Sequence, residues 1–528
     1  MKTEFEGTSG QVAYTDEGAS NNESPSPEAA LPAYSRDYHN DPAANNPISL
    51  KFAENMELST RARIDYTFRV FAAIYGYHVV EPDSPESSVC CIYGESPSQD
   101  SNSRTIHLPS RYRSRAHTDS SRQPLARLRY ANEDFYLFHG IDEHTGNPDW
   151  LGEIFEWISS SHESAISERD PEGRISYADT IFARQQISPR KPHATMLMAW
   201  FENYLRRGNA VEALPKPPSP VPGIEHIVIC SHDVDFYYTN TFSALFRLLK
   251  NLVISFRLYR SWEYFSDNYR MILEPLGGRR VGDYLPALLS ALRLHDTQST
   301  LFVVSRKAHR RDPNYRLEEI APHLTSALQK GFSVALHASY ESVVERKELQ
   351  TEVMRLREVL GKGPAGSRQH WLRFDTHEKL FEAVETARLT YDSSLGFAET
   401  PGFRNGSSFA FPPYDFKNER PYDFLEIPLV LMDGNLEAAS RRLAEPPQEI
   451  ADAVLRESRS WSWGGIALLW HNPMEPLSVP SKINRVFWSC AAKQREHKEK
   501  WMSAEQFLKL CLTRYQNAGL MKEARIDA

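Results

Sequence analysis

Two aspartates that close an apolar run are the residues whose spacing first suggests chemistry. Asp233 and Asp235 follow the apolar residues 227–230, at the point where a buried strand would end. Residues two apart on a strand point to the same side, so the two carboxylates would share one face. Like charges held that close raise one pKa or require a cation, and both outcomes serve enzymes. The simpler interpretation is that these aspartates only begin a solvated loop.

Polar residues also stand at the ends of four further apolar runs. Short apolar runs alternate with helical patterns in this half of the chain, which predicts a mostly parallel sheet, open or closed into a barrel. In a parallel α/β barrel the carboxyl ends of the strands form the active site. One buried histidine or aspartate at a strand end is more often a hydrogen-bonded cap, but a series of them favours a common site. The further residues are His337, Arg368, His370, Asp392 and His471.

Composition divides the 528 residues into a tail, two folded regions and a linker. Residues 1–46 are too polar to offset the entropy of ordering and are predicted to be disordered. Residues 47–214 mix helical and strand patterns, which predicts a small α+β domain, and the prolines of 215–223 predict an extended linker. Residues 224–528 carry the predicted sheet, with strands at 226–230, 299–305, 333–338, 366–374, 388–392, 424–432 and 465–470.

Charge and cysteine content exclude several classes of protein. The net charge of -8 comes from 61 basic and 69 acidic residues without a long block of either sign, which argues against nucleic-acid binding. Five cysteines without a C-x-x-C pair indicate neither a disulfide framework nor a zinc knuckle. No apolar stretch suits a secretory signal or a transmembrane segment, so we expect a cytoplasmic protein.

The second half of the chain resembles the polysaccharide deacetylases, carbohydrate esterases that include chitin and peptidoglycan N-deacetylases. The resemblance covers about residues 225–475, and residues 60–210 are similar to an uncharacterised domain that often precedes this barrel. The motifs that carry it are S-H-D-V-D (231–235), A-L-H-A-S-Y (335–340), S-R-Q-H-W-L-R-F (367–374), Y-D-S-S-L-G-F (391–397) with G-F-R-N-G (402–406), L-E-I-P-L (425–429) and L-L-W-H-N (468–472).

The resemblance implies a deformed (β/α) barrel that holds one divalent metal, usually zinc. Asp235 and His337 match two of the metal ligands. The family usually has a second histidine four residues after the first, and Glu341 stands at that position here. Catalytic zinc generally keeps three protein ligands. The third ligand is therefore either Glu341, through an oxygen atom, or His370 from the neighbouring strand.

The same resemblance implies roles for four other residues. Asp233 matches the general base, and Arg368 matches the arginine that pairs with that base. His471 matches the general acid, and Asp392 matches the aspartate that orients it. These residue types suit the chemistry, because a metal and a base activate water and a histidine can protonate a leaving amine.

The predicted function is metal-dependent removal of N-acetyl or other acyl groups from an amino-sugar polysaccharide or its precursor. His370, Arg404 and Tyr414 are the predicted substrate-binding residues, the last two from an aromatic loop at 401–414. That loop is as easily read as one packed on the barrel rim. Two alternative functions remain open: a non-catalytic carbohydrate-binding or assembly protein on a degenerate barrel, and a hydrolase of small amides.

Overall fold

The computed structural model describes nine parts of the chain, and these parts contain all the residues discussed below. The predicted disordered tail lies outside the described residues except for Asn46. Within the described ranges, no helix combines the length and the apolar character that a bilayer crossing requires. The ranges are 46–82, 84–94, 105–112, 124–206, 214–235, residue 237, 285–343, 346–472 and 481–522.

The front region, residues 46–206, contains a β-hairpin, several helices and a parallel sheet whose strands lie in the order His78–Val79, Pro47–Phe52, Val89–Tyr93 and Thr105–Leu108. Its first long helix buries most of its apolar side chains and ends at Gly76, which adopts the left-handed conformation (φ 77°) that glycine tolerates best. These elements match the mixture of helical and strand patterns that the sequence shows in residues 47–214. The elements are β1 (Pro47–Phe52), α1 (Leu58–Tyr75), β2 (His78–Val79), β3 (Val89–Tyr93), β4 (Thr105–Leu108), β5 (Ala126–Tyr130), β6 (Glu133–Leu137), α2 (Trp150–Ile158), α3 (Ile181–Arg184) and α4 (His193–Leu205).

The proline-rich stretch at 215–223, the predicted linker, contains neither helix nor strand. Side chains on either side of it are nevertheless packed together. Tyr66 Oη donates to the carbonyl of Pro412 at 2.7 Å, and Trp463 Nε1 donates to the carbonyl of Ile74 at 3.2 Å. The described residues belong to one compact unit with a continuous hydrophobic core. The division into two domains at this stretch therefore stays a prediction.

The sheet region, residues 224–522, alternates strands with helices as the sequence pattern predicted. Its strands are β7 (His226–Asp233), β8 (Thr300–Val303), β9 (Ser333–Ala338), β10 (Gly366–Gln369), β11 (Tyr391–Asp392), β12 (Tyr414–Asp415), β13 (Arg420–Pro421), β14 (Leu425–Glu426), β15 (Leu429–Met432), β16 (Gly464–His471) and β17 (Glu499–Met502). Its helices are α5 (Leu285–Leu294), α6 (Leu317–Gln329), α7 (Arg346–Leu360), α8 (His377–Thr386), α9 (Asp433–Leu443), α10 (Pro447–Trp461), α11 (Lys482–Ala492) and α12 (Ala504–Asn517).

The main sheet is parallel and curls on itself. Its order is β14-β11-β10-β9-β8-β7-β16-β15, and β17 pairs with the first half of β7. The two end strands of this order are separated in the chain only by Ile427 and Pro428. The amide of Ile427 donates to Asp392 on one side, and the carbonyl of Pro428 accepts from Ala467 on the other. The chain at 425–432 therefore connects both ends of the sheet, and the predicted α/β fold is confirmed as a curled parallel sheet.

Strand β7 lies at the centre of this sheet and is buried along its whole length. Its β-branched and apolar residues suit a strand that is covered on both faces. Gly464 begins β16 beside it at φ 91°, where a Cβ atom would lie 2.0 Å from the carbonyl oxygen of Ile227. Only glycine allows this close approach. Because all strand pairs of the sheet are parallel, their carboxyl ends share one rim.

Candidate metal centre and active site

Strand register brings most of the candidate residues to one rim of the curled sheet. His337 on β9 lies opposite Arg368 on β10, and His471 on β16 lies opposite Asp233 on β7. Asp235 follows β7 by two residues and reaches the same place. Its Oδ1 atom lies 3.5 Å from His337 Nε2, and its Oδ2 atom lies 3.6 Å from His471 Nε2. The predicted convergence of distant side chains is therefore present in the folded chain.

Three side chains offer donor atoms that could hold one metal ion: Asp235, His337 and His370. These atoms all lie within 4.8 Å of one another. The Nε2 atoms of the two histidines are each 3.5 Å from a different oxygen of the aspartate. Tetrahedral zinc with bonds of about 2.0–2.2 Å requires neighbouring donors about 3.3–3.6 Å apart. The observed spacing thus fits a cation bound to these side chains.

Hydrogen bonds fix which ring nitrogen each histidine presents to the site. His337 Nδ1 donates to the carbonyl of Arg368 at 3.0 Å, so its Nε2 lone pair faces Asp235. The Oδ1 atom of Asp235 is buried and accepts no hydrogen bond from the described residues. A buried carboxylate oxygen without a donor is costly unless a cation or a water satisfies it. Both observations support the metal-site interpretation.

Asp312 holds the third donor in place. His370 Nδ1 donates to Asp312 Oδ1 at 3.2 Å, which is the carboxylate–histidine arrangement that orients metal ligands. Burial lowers the pKa of His370, but hydrogen bonds to Asp235 and Asp312 outweigh it and raise the pKa to about 9. The two carboxylates thus favour positive charge at this position. Sequence reasoning missed Asp312, whose only local signal is its place in the loop after β8.

Glu341 lies outside the group of converging donors. Its side chain is exposed on the turn that follows β9, whereas the three donors are buried or nearly so. Residues four apart share a face on a helix but not across the end of a strand and a turn. Of the two alternatives for the third ligand, the geometry therefore favours His370, and the assignment of Glu341 as a ligand is not supported.

Arg368 and Asp233 form a buried ion pair beside the candidate metal site. Arg368 Nη1 donates to Asp233 Oδ1 at 2.8 Å, and its guanidinium lies 4.1 Å from the centre of the Phe302 ring. Arg368 Nε and Nη2 donate to the carbonyl and hydroxyl oxygens of Ser393. The second oxygen of Asp233 is left facing His337 Nε2 at 3.4 Å. This carboxylate can accept a proton from a group bound between it and the candidate metal ligands.

Asp433, and not Asp392, orients His471. Asp433 Oδ1 accepts from His471 Nδ1 at 2.8 Å, and its Oδ2 accepts from the His471 backbone amide at 3.0 Å. Burial lowers the pKa of His471, but the charge and hydrogen bond of Asp433 raise it to about 10. The role predicted for Asp392 is thus taken by a residue that directly follows β15. The sequence could have indicated Asp433 as a candidate, because it directly follows the strand predicted at 424–432.

Asp392 instead belongs to a pair of buried carboxyl groups on β11 and β14. It accepts hydrogen bonds from the Ser367 hydroxyl at 2.7 Å and from the Ser394 amide at 2.8 Å. Burial and the neighbouring Asp392 raise the pKa of Glu426 well above its usual value. Burial and the proximity of the two groups thus favour the protonated form of Glu426.

Arg404 and Tyr414 are packing residues in this structure. Arg404 is buried, with Nη2 donating to Glu163 Oε2 at 2.7 Å and Nη1 donating to the carbonyl of Gly396 at 3.0 Å. Tyr414 is buried against Tyr66, with ring centres 4.9 Å apart. The loop at 401–414 is covered by the front region, so the packed alternative fits and a sugar-binding wall does not. The sequence could not show this because the covering residues are distant in the chain.

The fold and the donor set place this chain among the α/β proteins with a curled parallel sheet. Its candidate divalent-metal site lies at the carboxyl ends of the strands. A scan of family models and a search of curated proteins returned no match.

Solved structures similar to this chain include deacetylases and an esterase, all at low sequence identity. A protein from Mycobacterium smegmatis assigned as a polysaccharide deacetylase is 19% identical, with 60% of this chain and 100% of that chain covered and a TM-score of 0.36. A peptidoglycan deacetylase from Bacillus subtilis is 9% identical, with coverage of 56% and 95% and a TM-score of 0.28. A family 4 acetyl xylan esterase from Clostridium thermocellum, solved with a cobalt ion, is 12% identical, with coverage of 54% and 91% and a TM-score of 0.25.

Proposed function

We propose that this protein is a metal-dependent hydrolase that removes N-acetyl or another acyl group from an amino-sugar unit of a polysaccharide or its precursor. The observation that carries the proposal is the convergence of Asp235, His337 and His370 between the buried carboxylate of Asp233 and the half-buried imidazole of His471. A metal site flanked by a proton acceptor and a proton donor suits the hydrolysis of an amide by an activated water. The choice of an amino sugar is supported by the order and identity of the sequence motifs.

The donor set suits zinc. Two imidazole nitrogens and one carboxylate oxygen are a ligand set of catalytic zinc sites, which leave a position for water or substrate. A divalent ion bound there would polarise the acyl carbonyl and make a bound water more acidic. Because one of the three ligands is a hard oxygen donor, other divalent ions also fit the site.

Asp233 is the proposed general base. Its Oδ1 is held by Arg368, and its Oδ2 faces the metal ligands at 3.4 Å from His337 Nε2. This geometry leaves one oxygen atom to accept the proton of a water that attacks the acyl carbon. Arg368 is completely buried and cannot turn away, so it keeps the carboxylate in this orientation.

His471 is the proposed general acid. Its Nδ1 proton is bound to Asp433, so Nε2 is the atom that points toward Asp235 and the site. Asp433 favours the protonated imidazole, which can give its Nε2 proton to the leaving amine as the C–N bond breaks. Asp433 acts in this scheme as the positioning residue that sequence reasoning had sought at Asp392.

The test is acetate release from acetylated chito-oligomers by the purified full-length chain with zinc, cobalt or manganese. We expect release that depends on added metal and falls by about 10²-fold or more in Asp233→Asn, because that change removes the base. A small N-acetylated amine serves as the comparison substrate, and faster turnover of it would favour the small-amide alternative. Metal binding without release from any substrate would favour the non-catalytic alternative.

A further inference from the structure

The chain directly after His370 has an unusual backbone conformation. Trp371 and Leu372 both have positive φ angles, of 65° and 51°. Non-glycine residues seldom adopt this left-handed region, because the Cβ atom crowds the backbone there. Such a conformation persists only where surrounding contacts hold it. Because His370 precedes it by one residue, whatever holds this segment also sets the direction of that imidazole.

A turn of the front region supplies those contacts from about two hundred residues earlier in the sequence. Arg174 Nη1 donates to the carbonyl of Trp371 at 2.9 Å, and Arg373 Nε donates to the carbonyl of Glu172 at 3.0 Å. The carboxylate of Glu172 accepts from Tyr340 Oη at 2.7 Å, and Tyr340 follows the His337 strand. The turn thus binds the chain that follows both metal-ligand histidines.

The turn is held by its own hydrogen bonds. The carboxylate of Asp170 accepts from the amides of Glu172 and Arg174, each at 2.9 Å, and from Arg174 Nε at 2.8 Å. Gly173 has a φ of 81°, a conformation that glycine allows without strain. The Arg174 guanidinium is therefore oriented by its own turn before it reaches the sheet region. A preoriented donor of this kind can hold a backbone carbonyl in a fixed place.

We propose that Arg174 and Glu172 are positioning residues for the metal centre, an inference that rests on the proposed metal site. The front region fixes the left-handed segment Trp371–Leu372 and, through it, the imidazole of His370. Asp312 holds the same ring from the other side at 3.2 Å. The loop that carries Asp312 thus holds the ring of the third ligand directly, and the turn of the front region holds the backbone that follows it.

A contact that only joins the front region to the sheet region should not affect metal binding when it is removed. The chain offers such a contact as a matched control. Arg190, also in the front region, forms a two-bond ion pair with Glu445 at 2.9 and 2.7 Å. Glu445 lies just beyond the carboxyl end of α9, whereas Asp433 begins that helix at the site. Eleven helical residues separate the two ends by about 16 Å. Arg190→Ala therefore removes a comparable contact between the two regions, at a distance from the metal centre.

The experiment compares full-length Arg174→Ala, Arg174→Lys and Arg190→Ala with the parent protein. The readouts are the dissociation constant for Zn²⁺, from competition with a chromophoric chelator, and the absorption spectrum of bound Co²⁺. We expect Arg174→Ala to weaken Zn²⁺ binding by about 10–100-fold and to change the Co²⁺ spectrum, as loss of support for a ligand does. Arg174→Lys should recover part of the affinity, since its ammonium group can also donate to the Trp371 carbonyl.

Arg190→Ala should leave Zn²⁺ affinity and the Co²⁺ spectrum unchanged. Thermal unfolding of the metal-free proteins shows whether each variant is folded. If Arg174→Ala does not fold, the Zn²⁺ affinity of a Glu172→Gln variant provides the second measurement. Equal Zn²⁺ affinity in the parent, Arg174→Ala and Glu172→Gln proteins would overturn the positioning role alone. Absence of Zn²⁺ binding by the parent would instead reject the proposed metal site, and with it both proposals.

Discussion

Replacing His370 is the change that tests the metal centre most directly. The structure places His370 Nε2 3.5 Å from Asp235 Oδ2 and leaves Glu341 exposed outside the group of donors. His370→Ala should therefore weaken metal binding strongly, and Glu341→Ala should not affect it. The two variants decide between the alternatives that the sequence left open for the third ligand.

The magnitude follows from the number of ligands. Structural zinc sites bind with about 10–16 kcal/mol shared among four ligands, or about 3 kcal/mol for each. A loss of about 3 kcal/mol raises the dissociation constant by about two orders of magnitude. Removing the carboxylate behind the ligand, in Asp312→Asn, should cost less, about 10–100-fold. We therefore expect Glu341→Ala to bind Zn²⁺ as tightly as the parent, Asp312→Asn to bind it more weakly, and His370→Ala to bind it most weakly.

The assay is isothermal titration of the metal-stripped proteins with Zn²⁺, with elemental analysis of bound metal. Circular dichroism of the metal-free variants serves as the control for folding. If His370→Ala bound Zn²⁺ as tightly as the parent, or if Glu341→Ala lost as much affinity as His370→Ala, the geometric assignment of the third ligand would be refuted.

Three further predictions concern groups around the metal centre. Asp433→Asn should lower kcat by about 10²–10⁴-fold with bound metal unchanged, because His471 loses the partner that orients it; steady-state kinetics with metal analysis tests this. Arg368→Met should lower the free energy of unfolding by about 3–5 kcal/mol, because it leaves the Asp233 carboxylate buried without its partner; urea unfolding would contradict this by showing a loss below 1 kcal/mol. Burial raises the pKa of Glu426 well above the 4.5 of the unfolded chain. The protonated Glu426 carboxyl therefore stabilises the fold fully below pH 4.5, and this stabilisation is lost as the pH rises toward the pKa of the folded state. Glu426→Gln should therefore match the parent near pH 4 and exceed it at pH 8, and parallel pH profiles of the two unfolding free energies would refute this.

Much of the fold and the centre of the site could be predicted from the sequence. The continuous apolar runs before Asp233 and His471 are typical of buried parallel strands. The structure continues the strand predicted at 226–230 to Asp233 and the strand predicted at 465–470 to His471. Because parallel strands have their carboxyl ends at one rim, the sequence could also predict that His337 would approach Asp235. Local pattern and topology were enough for these conclusions.

Strand β17, in contrast, was not predicted. It has only four residues, Glu499–Met502, and its pairing with the first half of β7 depends on a partner far away in the chain. The aromatic loop at 401–414 was also ambiguous, since its sequence suits either a sugar-binding wall or a packed loop. The front region that covers it decides this.

The sequence by itself determined which residue types stand at the ends of the strands, and therefore that a metal-binding and proton-transferring site was possible there. Only the tertiary structure decided which of them act together: His370 and not Glu341 completes the donor set, and Asp433 and not Asp392 holds His471. The physical reason is that hydrogen bonds and metal coordination depend on separations of a few ångströms. Such separations are set by strand register and by the turns after each strand, which spacing along the chain does not specify.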